Sequence, residues 1–203
     1  NTEETLAVAG EALNRGAMVY GVTTGGALAE FLSENGFAGY IYQPKENPSG
    51  QPRMGLGYSI TSVLALLSKC EFINLLDSEM EEAIVEAEKL ITDYGANVPE
   101  NENVAKSLAT KLKGKVPVII ASEHLVGSAH TFKNQLNENA KTFGLTFDIP
   151  ELNHHLMEGL RNPHEIKNDL HFFFIESAHY SKRVRIRYPI TREVVEKNDI
   201  ETE

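Results

Sequence analysis

Helical stretches alternate with short apolar runs along nearly the whole chain, and that order limits the fold more than any other feature. Short apolar runs bounded by turn residues read as buried strands, and helices between such strands cover their faces. The sequence therefore predicts an α/β fold with parallel sheets flanked by helices. Leu6, Ala9 and Leu13 recur at helical spacing behind an Asn1/Thr2 cap, with Glu3 and Glu4 in the first turn and Gly16 as a stop, which predicts a helix over residues 2–15. A strand over 18–23 closed by Thr24-Gly25-Gly26, a helix over 27–34 and a strand over 40–42 follow. Beyond the turn-rich loop 43–52 come helices over 57–70 and 77–94. The order then repeats, with a helix near 103–113, a strand over 116–121, a helix over 128–142 and a strand over 145–148. A short helix or loop over 150–159, a strand over 170–175 and a helix over 181–197 complete it, and Pro189 is expected to kink or restart the last helix.

The polar stretch 95–102, with Pro99, marks a division between two units. Residues 1–76 are read as the C-terminal part of a first domain, 77–102 as a connecting helix and linker, and 103–203 as a second domain. The halves share their alternating order but no sequence repeat, so a two-domain duplication is an architectural expectation. The chain opens on Asn1-Thr2-Glu3 without a methionine and ends at Glu203 after a helical stretch with no closing element, so both domains are expected to be incomplete.

Charge and cysteine content narrow the function classes. Nineteen basic against twenty-nine acidic residues, a net charge of -10, argue against broad binding to a nucleic-acid backbone. A small anion is a different matter, because helix N-termini, backbone amides and one or two cations hold it locally. The single cysteine, Cys70, rules out a disulfide framework or multi-cysteine metal site within the chain, and a reducing, cytoplasmic setting fits best. No apolar run approaches the roughly 20 residues of a membrane-spanning helix.

Five places carry residues suited to chemistry. Thr2 and Thr5 at a helix start suit a phosphate, and equally a routine cap. The glycines of Thr23-Thr24-Gly25-Gly26 permit close backbone approach to a ligand, or simply a tight turn. Arg53, in Gln51-Pro52-Arg53, is a cation on a rigid loop, able to bind phosphate or stabilise an enediolate, or an ordinary surface arginine. Glu138 lies off the apolar stripe Phe132, Leu136, Ala140, Phe143, among Asn134, Asn137 and Asn139. The plain reading is a solvated face with a Glu138 to Lys141 ion pair, but three asparagines within a predicted helix hint at hydrogen-bonding work. Glu151-Leu152-Asn153-His154-His155-Leu156-Met157-Glu158 offers histidines among carboxylates for proton transfer. Two i, i+4 His/Glu pairs there suit a metal, but a third ligand at diagnostic spacing is missing. His124, His130, His164, His171 and His179 are scattered and read as structural or exposed.

Taken in order, Asn1-Thr2-Glu3-Glu4-Thr5, Thr23-Thr24-Gly25-Gly26, Gln51-Pro52-Arg53, Asn137-Glu138-Asn139-Ala140-Lys141 and Pro150-Glu151-Leu152-Asn153-His154-His155 resemble the bifunctional phosphoglucose/phosphomannose isomerase family. The resemblance implies two sugar-isomerase (SIS) domains of flavodoxin-like type and an aldose-ketose isomerisation without metal or organic cofactor. It implies that glucose 6-phosphate, with mannose 6-phosphate, is interconverted with fructose 6-phosphate through a cis-enediol. Glu138 matches the family's base, Arg53 the arginine that stabilises the enediolate, His154 the histidine that assists ring opening and Thr2 a threonine of the phosphate-binding loop. It further implies a homodimer in which His154 is donated across the interface, with no nucleic-acid or membrane partner. Family members continue beyond both ends of this chain, with a first strand and Ser-rich loop before Asn1 and a strand and helix after Glu203. A non-catalytic SIS module that binds a phosphosugar as a sensor is the alternative class.

Overall fold

The computed structural model describes residues 2–203; Asn1, part of the expected cap, lies outside the described residues. Two compact units divide between Val85 and Glu86. The first contains α1 (Glu3–Asn14), β1 (Gly21–Thr23), α2 (Ala27–Glu34), β2 (Gly39–Ile41) and α3 (Leu56–Lys69), and α4 (Asp77–Tyr94) runs from it into the second. The two strands pair in parallel with Gly21 opposite Gly39, and α2 seats Leu32, 2% exposed, on them. A Cβ on Gly21 or Gly39 would come within 2.4 or 2.7 Å of the Leu32 Cδ1, so the two glycines are what let this helix lie so close. The expected strand over 18–23 is realised only from Gly21. Met18 is 95% exposed, and an apolar run becomes a strand only where a neighbouring strand supplies hydrogen bonds.

The second unit is built on a four-stranded parallel sheet in the order β4-β3-β5-β6, from β3 (Val116–Ala121), β4 (Leu145–Asp148), β5 (Leu170–Phe174) and β6 (Glu201–Thr202). Helices α5 (Val104–Lys111), α6 (Val126–Glu138), α7 (Leu152–Gly159), α8 (Ile166–Asp169) and α9 (Lys182–Lys197) complete it. Successive strand residues point to opposite faces. Val118, Ile120, Phe172 and Phe174 pack with Leu152, Val184, Tyr188 and Val195 of α7 and α9, while Ile119, Ala121 and Phe173 pack with Ala129 of α6 and Leu108 of α5. Both faces are therefore covered, which explains why β3 and β5 carry no polar alternation.

Three expectations are corrected here. The helix over 181–197 runs through Pro189 as one element, α9. A proline inside a helix costs about 3 kcal/mol, but Val184, Tyr188, Thr191 and Val195 are buried in a row along one face, and that burial outweighs one missing hydrogen bond. Residues 201–202, which carried no strand expectation, form β6 and extend the sheet, with the Glu201 Oε2 3.3 Å from the His171 Nδ1 and the Glu203 amide donating to the Phe172 carbonyl at 2.8 Å. The helix expected over 128–142 ends at Glu138. Asn137 accepts the Gly144 amide at 3.0 Å and Lys141 adopts φ +56°, so this asparagine folds the exit loop back rather than facing a mid-helix carboxylate.

Asn103 gives this unit a measurable local anchor. It is 1% exposed, caps α5 by accepting the Lys106 amide at 3.0 Å, and donates to the Gly95 carbonyl at 3.3 Å. Asn103→Ala is expected to lower unfolding stability by about 1–2 kcal/mol, read as a shift of the urea midpoint at unchanged m-value.

Candidate functional site

In the first unit the sequence-derived candidates sit on loops around the short sheet. Thr2 is the N-cap of α1, but its hydroxyl makes no cap bond and lies 3.0 Å from the Thr5 hydroxyl. Its neighbour Glu4 is held below the ordinary carboxylate range by its own backbone N–H and by the Thr2 hydroxyl, so a carboxylate already occupies the donors of this helix start. Thr23 closes a tight turn: its Oγ1 donates to the Gly25 carbonyl at 2.9 Å and accepts the Gly25 amide at 3.2 Å, while Gly25 and Gly26 have φ of +131° and +71°. Arg53 lies in the turn Pro52–Met54 and donates to the Gln51 Oε1 at 3.2 Å. That loop is stiffened by buried Asn47, which donates to the Gln51 carbonyl at 2.8 Å and accepts the Ser49 hydroxyl at 2.6 Å. Tyr42 and Tyr58 stack at 4.8 Å, and the Tyr58 hydroxyl accepts the Glu46 amide, which ties the loop to α3.

In the second unit Glu138 is the last residue of α6 and is exposed; the Lys141 Nζ donates to its main-chain carbonyl at 2.5 Å. His154 is exposed in the first turn of α7, and the neighbouring His155 pairs with Glu151. Topology separates the two candidates. Helix α6 crosses from the end of β3 to the start of β4, which is parallel to β3, so it runs against the strands and delivers Glu138 to the amino edge of the sheet. His154 follows the carboxyl end of β4. Four strand residues, about 13 Å at roughly 3.3 Å each, lie between those edges. The fold of one chain thus places Glu138 and His154 apart.

A further polar cluster, spread over segments distant in sequence, gathers at the carboxyl edge, where β3 is flanked by β4 on one side and β5 on the other. The loop after β3 carries Ser122, Glu123 and His124, and the loop after β5 carries Glu176, Ser177, His179 and Tyr180. Ser122 is fully buried; its hydroxyl donates to the Ile149 carbonyl at 2.8 Å and accepts from the Tyr188 hydroxyl at 3.1 Å. Its amide donates to the Tyr180 hydroxyl at 3.2 Å, which in turn donates to the Ile175 carbonyl at 2.9 Å. Burial pushes the Tyr188 hydroxyl well above the ordinary tyrosine range, so it stays a neutral donor. Glu123 accepts the Ser181 amide at 3.0 Å, and hydrogen bonds from the Ser181 hydroxyl and amide hold its carboxyl below the usual range. The Ser177 Oγ and the His124 Nε2 are 3.2 Å apart. Read singly, these residues look unremarkable; the signal that finds them is adjacency of two parallel strand ends, where open α/β sheets bind ligands.

Among the described residues no group of three or more His, Cys, Asp or Glu is placed to hold a metal, and no helix is long and apolar enough to cross a membrane.

Residues 101–203 match the family model described as the bacterial phospho-glucose isomerase C-terminal SIS domain. The bifunctional phosphoglucose/phosphomannose isomerase of Caldicellulosiruptor bescii is 35% identical over 96% of this chain and 57% of its own length. That of Aquifex aeolicus is 30% identical over 97% of this chain and 56% of its own. The D-glucosamine-6-phosphate 4-epimerase of Sulfolobus acidocaldarius is 29% identical over 78% of this chain and 47% of its own length. The chain therefore spans about half the length of the curated relatives it matches. With Glu138 and His154 both inside the matched residues, the chain belongs to the SIS-domain family of bacterial phosphoglucose isomerases and of the bifunctional phosphoglucose/phosphomannose isomerases.

Proposed function

We propose that this protein interconverts glucose 6-phosphate, and mannose 6-phosphate, with fructose 6-phosphate, in an active site completed by a second copy of the chain. The ionised Glu138 takes the proton from C2 of the open-chain aldose phosphate, and the C–H electron pair forms the C1–C2 double bond of a cis-enediolate. Arg53 balances the charge that develops on O1. The hydroxyl proton on O2 is transferred to O1, the proton on Glu138 passes to C1, and the carbonyl reforms at C2. Removing the C2 proton erases the configuration at that carbon, so glucose and mannose 6-phosphates, which differ only there, share one enediol. His154 of the second copy moves the proton that opens the sugar ring, and Thr2 takes the phosphate in place of its present bonds to Thr5 and Glu4. The observation that carries this reading is the placement of Glu138 and His154 at opposite edges of β4, inside the family match: a site that uses both needs two copies.

A phosphosugar-binding module without catalysis is the second reading, favoured by the exposure of Glu138 at the end of α6. Incubating the full-length protein with glucose 6-phosphate in deuterated buffer with a chelator separates the two. Loss of the C2 proton signal and appearance of fructose 6-phosphate are expected. Saturable binding without exchange establishes the binding module instead.

A further inference from the structure

The carboxyl-edge cluster encloses a cavity of about 250 Å³ lined by Glu176, Ser177, Ala178, Tyr180, Arg185 and Tyr188. We propose that this cavity is a second, separate anion site, which takes the phosphate group of a small molecule, whether free phosphate or a phosphate ester. Position is the first ground: every residue that lines it follows β5, so it lies at the edge opposite to Glu138 and on the other side of β3 from β4, the strand that His154 follows. Unused hydrogen-bonding capacity is the second. Ser122, Tyr180 and Tyr188 bond one another and the loop carbonyls, which stiffens one side, while Ser177 and Arg185 line the cavity and the exposed His124 and His179 adjoin Ser177. Charge is the third. Arg185 has no ion-pair partner among the described residues, and the Glu176 carboxylate is already held by Arg192 at 2.8 Å.

The helix that borders the cavity adds a physical tension that an anion would relieve. The first turn of α9 has no acidic residue and begins Lys182-Arg183-Val184-Arg185, so cations crowd the end of the helix that already carries its positive partial charge. A phosphate against Arg185 offsets both, in a chain whose net charge of -10 would otherwise repel it. The Ser177 hydroxyl donates to a phosphate oxygen while the His124 Nε2 orients it from 3.2 Å away. A space of this size admits a phosphate with a few carbons, and lies below the roughly 300–1,000 Å³ of pockets for larger ligands.

The test follows the ring C–H signals of His124 and His179 in the full chain by NMR, assigned through His124→Gln and His179→Gln, at fixed pH and ionic strength. Inorganic phosphate is expected to shift both signals with half-saturation at about millimolar concentration, and Arg185→Gln to raise that concentration about tenfold. Arg185→Lys should recover part of the loss, and Arg53→Gln should leave the shifts unchanged, which separates this site from the proposed isomerase site. A parallel titration with glucose 6-phosphate that shifts the same signals at lower concentration identifies an ester as the occupant; equal potency identifies free phosphate. Signals that do not move with either probe, or that move equally in Arg185→Gln, overturn the proposal.

Discussion

On the proposed function, Glu138→Gln is expected to lower kcat for glucose 6-phosphate isomerisation about a thousandfold in the full-length protein and to change KM by no more than a few-fold. Glutamine keeps the shape of the side chain and its ability to hydrogen-bond, but no longer accepts a proton, and a positioned general base accounts for roughly 10²–10⁴ in rate. The substitution falls at the exposed last residue of α6, and the exit loop is held by Lys141 donating to the Glu138 main-chain carbonyl and by Asn137 accepting the Gly144 amide. A thermal melt of the variant beside the native protein separates lost chemistry from lost fold. Full activity in Glu138→Gln removes the assigned base.

Mixing two dead variants gives the second large effect. Glu138→Gln and His154→Asn are each expected to be nearly inactive, and an equal mixture, unfolded and refolded together, to recover about a quarter of the native activity. In the proposed twofold dimer each site is expected to combine Glu138 of one copy with His154 of the other. Half of the refolded dimers are mixed, and each mixed dimer holds one site with both native residues and one with neither. The expectation rests on the separation of the two residues by the length of β4. If both came from one chain, no combination of subunits would restore a native pair, and the mixture would stay as inactive as its components. Light scattering on the same sample reports whether the dimer is present.

Much of this architecture was legible before any tertiary contact was known. The expected strands 116–121 and 170–175 are nearly continuous apolar runs in a sheet covered on both faces, while 145–148 alternates apolar and polar residues; all three form strands, the last of them over 170–174. The helices over 27–34 and 77–94 follow their apolar spacing and turn signals to the residue. Errors cluster where a local pattern met a non-local partner. The first strand lost residues 18–20 because pairing begins only at Gly21 opposite Gly39. The last helix kept Pro189 because a four-residue row of burial holds it against the sheet. Helix α6 ended four residues early because Asn137 and Lys141 divert the chain into the turn before β4, and this changed the meaning of the asparagines around Glu138.

The candidate site divides along the same line. Residue types at ordered positions, Thr2, Arg53, Glu138 and His154, were readable from the chain because motif wording and order are one-dimensional properties. Their arrangement was not, since helical and strand periodicity are local and say nothing of strand order. By itself the sequence determined a parallel α/β chain and named a carboxylate and a histidine for proton transfer. Tertiary structure alone decided the order β4-β3-β5-β6, which sends Glu138 and His154 to opposite edges of the sheet. That same order sets His124 beside Ser177, 53 positions away, and Ser177 lines one cavity with Arg185. The physical reason is that strand order is chosen by how two apolar faces are buried by helices distant in sequence, a global packing condition that no local window contains.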